Sequence, residues 1–320
     1  MVIRIDREYE ELSFPSDVDG VHIFYRQWSP PVSITPRAIV QITHGICEHG
    51  GRYDRFARYL SGRGYVVVAP DLRGHGQTAG ITGLGQAGLT AWADMTSDIV
   101  QLSRLAKSRH RDLPLIAFGH SMGSALTQAQ IQTHGNLLAG AVLCGTLGAL
   151  PPVVTDDTLA TLEIAAHSAE GNRPSALMGD VLQALNAPFV QADHPTTGCE
   201  WMTADQTEIQ RFLGDALCGK PFSNSMLYSV LDGFRKLWIL ENESRIPVDL
   251  PILIVAGTRD PVGANTASIQ TLIARYMRQG HLALAYRFYP GDRHEILNER
   301  SKERVHRDID AWCDGILERL

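Results

Sequence analysis

Apolar runs rich in β-branched residues alternate with amphipathic stretches along most of the chain. Val21–Trp28, Arg37–Thr43, Gly64–Pro70, Leu113–Phe118, Leu138–Cys144, Pro251–Ala256 and Ala283–Tyr289 each read as strands. Several are apolar throughout, as strands buried on both faces are. Between them, apolar residues recur at helical spacing. Tyr53, Phe56, Tyr59 and Leu60 form one such set; Trp92, Met95, Ile99, Leu102 and Leu105 form another, with Thr90 placed to cap it. Further helices are predicted over Ser121–His134 and Ala264–Met277. A last one begins at Ser301, with Val305, Ile309, Trp312 and Ile316 on one stripe. Strands separated by helices predict a mainly parallel sheet covered on both faces.

The pattern breaks over residues 150–235, which are more polar and helix-like. An insertion there would cover one end of the sheet, since loops at the carboxyl ends of parallel strands line the ligand crevice. The chain therefore divides into a core of 1–149 and 236–320 with a helical cap of 150–235. Leu137–Val154 carries no charge and reaches the lower length limit of a membrane helix. Gly140, Gly145, Gly148 and Pro151-Pro152 make it a buried strand running into a loop instead.

Composition narrows the classes. With 44% hydrophobic and 20% charged residues, the chain fits a folded globular protein rather than a disordered one. A net charge of −6 with no basic block argues against nucleic-acid binding. Cys47, Cys144, Cys199, Cys218 and Cys313 are odd in number and scattered, with no metal-ligand spacing. A reduced, cytoplasmic protein is expected, and Met1–Glu11 lacks the apolar region of a secretory signal.

The chemistry concentrates at strand ends. Gly119-His-Ser121-Met-Gly123 follows an apolar strand and opens a helix, the context of a nucleophile elbow. A serine hydroxyl needs a base, and the base an orienting carboxylate. His294 lies between the last strand and the last helix. Asp260 lies three residues beyond the glycine that ends Pro251–Ala256. His281, before that last strand, and His306, on the charged side of the final helix, are weaker bases. Asp292 is too near His294 along the chain, and Asp156 and Asp157 are the alternative acids. Oxyanion donors are expected at Met122 N–H, directly after the serine, and at Ile46 N–H in the glycine-rich loop 43–51. His44, Glu48 and His49 in that loop also admit a metal reading. The charged residues of Asp71-Leu-Arg-Gly-His-Gly76 read as hydrogen-bonders that fix their own turn.

Taken in order, His44-Gly-Ile-Cys-Glu-His49 with Arg52-Tyr53, Asp71–Gly76, Gly119–Gly123, Gly257-Thr-Arg-Asp-Pro-Val262 and Gly291-Asp-Arg-His-Glu-Ile-Leu-Asn-Glu299 resemble a known group. So do Trp201-Met-Thr-Ala-Asp205 and Leu217-Cys-Gly219. Over residues 10–318 the chain is similar to the monoacylglycerol lipase and bacterial lysophospholipase branch of the α/β-hydrolases. The resemblance implies a mostly parallel eight-stranded sheet flanked by helices, with a helical cap after the sixth strand. It implies a triad at Ser121, Asp260 and His294 and an oxyanion hole at Ile46 and Met122. It also implies mono-acyl lipid or other ester substrates, no cofactor, and peripheral membrane contact through the cap; oligomeric state is left open. Three departures stand out. Cys47 replaces a usual glycine, Ser124 replaces a glycine with little expected effect, and Thr78 replaces a serine. The cap is also not strongly apolar, which weighs against a long acyl chain. Thioester or amide cleavage, acyl transfer to an alcohol, and an inactive binding module on the same fold are the rival readings.

Overall fold

Eight strands form one sheet: β1 (Glu10–Pro15), β2 (His22–Trp28), β3 (Ala38–Thr43), β4 (Tyr65–Pro70), β5 (Leu115–His120), β6 (Gly140–Cys144), β7 (Ile252–Gly257) and β8 (Leu284–Tyr289). Their order is β1-β2-β4-β3-β5-β6-β7-β8 in the computed structural model, which describes residues 9–190 and 196–320. The first two strands pair antiparallel, and the rest, from β4 across to β8, are parallel. The helices are α1 (Asp54–Ser61), α2 (Gly76–Gly83), α3 (Ala91–Arg109), α4 (Met122–His134), α5 (Asp156–Ala166), α6 (Ala176–Asn186), α7 (Gln206–Leu213), α8 (Asn224–Leu237), α9 (Leu240–Glu243), α10 (Ala267–Arg278) and α11 (Lys302–Leu317).

Alternate residues of the buried strands feed two cores. On β5, Leu115 and Ala117 pack with Leu102 and Ala106 of α3 and with Leu272 and Tyr276 of α10. Ile116 and Phe118 point the other way, to Phe56 and Leu60 of α1 and Val305 and Ile309 of α11. This two-residue period places helices on both faces, so the strands need apolar residues throughout. A third core fills the space above the sheet. There Leu159, Leu162, Met178, Met226, Val230 and Phe234 of the β6–β7 insertion meet Met122, Ala125 and Leu126 of α4.

Four details depart from the sequence reading. Strand β1 left no pattern because only Phe14 of its six residues is buried, and it lies on the sheet edge. Helix α10 starts at Ala267 because Ala264, Asn265 and Thr266 all take left-handed φ values. Thr90 does not cap α3 through its side chain; its hydroxyl bonds Asp94 Oδ2 at 2.7 Å. His306 is buried, its ring against Phe56 and Tyr59, not on the charged side of α11. Among the described residues, no helix is long and apolar enough to cross a membrane.

The parallel strands run in one direction, so the segments following β3, β5, β6, β7 and β8 emerge along one edge of the sheet. That edge is where a ligand crevice forms in open α/β sheets.

Candidate active site

Strand β5 ends at His120 and α4 begins at Met122, so one residue makes the turn. That residue is Ser121, with φ 54° and ψ −122°. A non-glycine residue held in a sparsely populated region of this kind costs on the order of 1–3 kcal/mol and persists only when its surroundings fix it. Here they do. Ser121 N–H donates to Cys144 O at 3.0 Å, and the Ser124 hydroxyl donates to Ser121 O at 2.6 Å. Ser124 also reaches Thr146 Oγ1 at 2.9 Å, so it is part of the turn's scaffold, contrary to the minor role expected of it. The flanking glycines are sterically required. A Cβ on Gly119 would sit 2.2 Å from Gly123 O, and one on Gly123 would sit 2.1 Å from Thr43 O.

Asp260 is fully buried, three residues after β7, and both its carboxylate oxygens lie 3.0 Å from His294 Nδ1. An ionised carboxylate only accepts, so Nδ1 carries the proton and Nε2 offers its lone pair. Val262 N–H donates to Oδ1 at 2.9 Å, holding the carboxylate still. The His294 ring lies between those of Trp201 and His120, with centroids at 5.0 and 4.7 Å. Burial alone would lower the basicity of His294. The Asp260 carboxylate outweighs it and raises the ring above its ordinary value. His120 lacks such a partner, and burial with the neighbouring His294 brings it down to about 4. Of the alternatives, Asp156 and Asp157 are exposed in the first turn of α5, and His281 lies against Tyr276. The Asp292 carboxylate accepts from Ser301.

The loop after β3 is held by its own polar residues. Glu48 Oε1 accepts from Gly45 N–H at 2.6 Å and from the Tyr53 hydroxyl at 2.8 Å. Burial would raise the Glu48 carboxyl. The charge of Arg52 leads the opposing effects, which bring it down to about 2. Among the described residues no protein acceptor takes the Ile46 N–H. Met122 opens α4, where a helix leaves N–H groups without intrahelical partners. Both residues border the space above Ser121. Cys47 has φ 56°, which accounts for the glycine usual at its position, and its thiol donates to Lys220 O at 2.8 Å.

The histidines of this loop do not fit a metal. His44 donates from Nδ1 to Gly45 O and accepts at Nε2 from Leu72 N–H. His49 accepts at Nδ1 from Gly51 N–H, so its Nε2 carries the proton and donates to Asp215 at 2.9 Å. Cys218 lies near this pair, within 4.8 Å atom to atom. A metal on His49 Nε2 would need the tautomer that Gly51 N–H opposes. The charges of Asp71–Gly76 do more than fix their own turn: they tie it to β2, the loop after β3 and α3. Asp71 accepts from Gly50 N–H, Gln77 N–H and Arg26, and Arg73 pairs with Asp19 and Asp98.

Two cavities meet at Ser121. One, of about 580 Å³ counted to its open mouth, includes Gly45, Cys47, Cys199, Met202, Phe212 and His294 in its wall. The other, of about 710 Å³ likewise counted to its open mouth, runs under the insertion between Leu147, Val154, Met178, Leu185, Val230, Leu231 and Phe234. Among the described residues, none that line this second cavity is charged. Apolar side chains of α6 and α8 face inward to line it, while Ile164, Val190 and Leu213 of the insertion stay exposed. Average composition had hidden that inward face.

The sequence profile of the Hydrolase_4 family, serine aminopeptidase S33, matches residues 34–301. The monoacylglycerol lipase of Mycolicibacterium smegmatis is 26% identical over 296 residues, covering 92% of this chain and 94% of that one. The structure of a highly thermostable carboxyl esterase from Bacillus coagulans, in complex with glycerol, is 29% identical with a TM-score of 0.87, covering 97% of this chain and 99% of that one. A soluble variant of monoglyceride lipase from Saccharomyces cerevisiae, in complex with a substrate analog, shares the fold. It has a TM-score of 0.72 at 20% identity over 98% of this chain and 96% of that one.

Proposed function

Because the chain belongs to the Hydrolase_4 family of α/β-hydrolases, we propose that it is a carboxylic ester hydrolase whose substrates carry one sizeable apolar acyl group, such as mono-acyl lipids. The observation that carries this reading is the uncharged apolar cavity opening at Ser121. Such a cavity takes a hydrocarbon chain, gaining roughly 0.8 kcal/mol per buried methylene. The leaving alcohol then occupies the cavity beside His294.

Ser121 Oγ attacks the ester carbonyl while His294 Nε2 takes its proton, and Asp260 stabilises the imidazolium that forms. The Ile46 and Met122 N–H groups receive the oxyanion. His294 returns the proton to the leaving alcohol, and water activated by the same nitrogen hydrolyses the acyl-enzyme. No hydrogen bond joins the Ser121 hydroxyl to His294 here, a looseness common in such sites before substrate arrives. The residues 150–235 act as a cap that completes the acyl cavity. Ile164 and Val190 on the insertion, 75% and 49% exposed, are apolar groups available for contact with a lipid surface.

The family's description raises aminopeptidase activity as a second reading. An aminopeptidase must hold the substrate's ammonium with a free carboxylate. Among the described residues, the carboxylates bordering the cavity beside His294 are Glu48 and Glu295, and both are bound to Arg52. Ester cleavage is therefore favoured. Purified protein and Ser121→Ala are assayed on p-nitrophenyl esters of graded chain length, 1-monoacylglycerol, lysophosphatidylcholine and aminoacyl p-nitroanilides. Ester turnover that rises with chain length and vanishes in Ser121→Ala is expected. Folded protein inert to all esters and to a fluorophosphonate probe would refute the reading and leave an inactive binding module.

A further inference from the structure

We propose that Arg52 is a positioning residue, the strut that holds the oxyanion loop and the catalytic-histidine loop in fixed relation. This rests on the hydrolase reading above. Arg52 Nη1 donates to Glu48 Oε2 at 2.6 Å and to Glu295 Oε1 at 2.7 Å, and Nη2 donates to Glu295 Oε2 at 2.8 Å. Each carboxylate is tied to the backbone next to a proposed reacting group. Glu48 accepts from Gly45 N–H, directly before the Ile46 donor. Glu295 directly follows His294, and its own N–H donates to Met202 O of the insertion at 2.7 Å. The Arg52 guanidinium also lies 4.9 Å from the ring centroid of Phe212, in α7 of the insertion. Three segments far apart in sequence thus converge on one side chain.

Stability alone does not account for this cluster. The side chains of Arg52, Glu48 and Glu295 are 11%, 5% and 7% exposed, and two carboxylates share one guanidinium. Buried ion clusters are often no more stabilising than well-packed apolar residues of the same volume. What the cluster does give is geometry. The guanidinium fork is planar and binds Glu295 with two parallel bonds, which a lysine cannot reproduce. Acyl transfer needs the Ile46 N–H and His294 Nε2 held within a fraction of an ångström of their working positions. The chain Gly45–Glu48–Arg52–Glu295 sets that separation. Its charges are also part of the field at His294, together with Asp260 and His120.

The test measures kcat, KM and thermal unfolding for wild type, Arg52→Lys, Arg52→Ala and Glu295→Gln on one short-chain p-nitrophenyl ester. Losing an oxyanion donor outright costs about 10²–10³ in kcat, so Arg52→Lys, which loosens it, should lose roughly 10- to 100-fold with KM little changed. Arg52→Ala should regain activity with added guanidinium chloride at non-denaturing concentration, but not with sodium or methylammonium chloride at equal ionic strength. In Glu295→Gln, removing a negative charge beside His294 should move the acidic limb of kcat/KM to lower pH. A packing role alone would move neither that limb nor the guanidinium response. The proposal is overturned if folded Arg52→Lys keeps kcat near wild type, if guanidinium acts no better than the other salts, or if the limb of Glu295→Gln stays in place. Should the Arg52 variants fail to fold, Glu295→Gln carries the test alone. Fluorophosphonate labelling of wild type separates the two failures. No labelling refutes the hydrolase reading, whereas labelling with unaltered Arg52 and Glu295 variants refutes only the strut.

Discussion

Cys47 offers a quantitative test of the oxyanion loop, because ordinary substitution rules reverse there. Its φ of 56° lies in the left-handed region. An L-residue held there costs roughly 1–2 kcal/mol relative to glycine. Glycine in turn makes the unfolded chain more flexible than alanine does, costing about 0.4–1 kcal/mol. Cys47→Ala and Cys47→Gly both lose the thiol, with its bond to Lys220 O, and differ from each other only in the Cβ that alanine keeps. Those losses cancel when the two variants are compared. The remainder predicts Cys47→Gly to be the more stable by on the order of 0.5–1 kcal/mol. At most other buried positions with negative φ, alanine would be the more stable by a similar margin. Urea denaturation of the two variants, with equal m-values as the check on comparability, reads the difference directly. If Cys47→Ala equals or exceeds Cys47→Gly in stability, the left-handed conformation is not held in solution. The reasoning about the loop would then fail.

Four further outcomes follow from the site and its surroundings. In the proposed mechanism the neutral form of His294 is the base, and its basicity is raised, so kcat/KM should fall as pH drops through a value above 6.5, measurable in a buffered rate profile. Stability should also fall in acid. His75 and His120 are held neutral down to about 3 and about 4, so the unfolded chain binds their protons first and stability declines as pH falls from 6.5 toward those values. For each, the slope approaches about 1.4 kcal/mol per pH unit, and a flat unfolding midpoint over that range would contradict it. Leu231→Phe fills part of the acyl cavity and should shift the preferred ester to shorter chains at a stability cost of about 1–3 kcal/mol, checked by the chain-length series and a melting curve. Gly123→Ala should abolish folding or lose more than about 3 kcal/mol, because its Cβ would meet the Thr43 and His44 carbonyls at 2.1 and 2.4 Å; near-native expression and stability would count against the elbow geometry.

How legible the fold was depended on whether local pattern and tertiary packing agreed. Leu115–Phe118 is buried on both faces, so its apolar run reads as a strand without further information. Strand β1 buries Phe14 alone and exists because β2 offers it a pairing edge, which no local pattern reports. The start of α10 was displaced by three left-handed residues, Ala264–Thr266, none of them glycine. The candidate site was more legible than either. Glycine must flank Ser121, and a carboxylate must follow the strand that precedes the histidine, so each part leaves a sequence mark.

The parts that were not legible are those whose role depends on what the fold brings beside them. Arg52 reads as one charge in a helical turn, and Glu295 as a neighbour of His294. Only their meeting, across 243 residues of sequence, suggests the shared positioning role proposed above. The insertion shows the same thing for hydrophobicity. Its sequence averages to a polar segment, yet Met178, Val181, Leu182 and Leu185 of α6 and Leu227, Val230, Leu231 and Phe234 of α8 turn toward Ser121. On the proposed reading, substrate range depends on the inward faces of α6 and α8 rather than on the overall composition of residues 150–235. Substitutions on the outward faces of those helices should leave chain-length preference unchanged, while those on the inward faces should alter it.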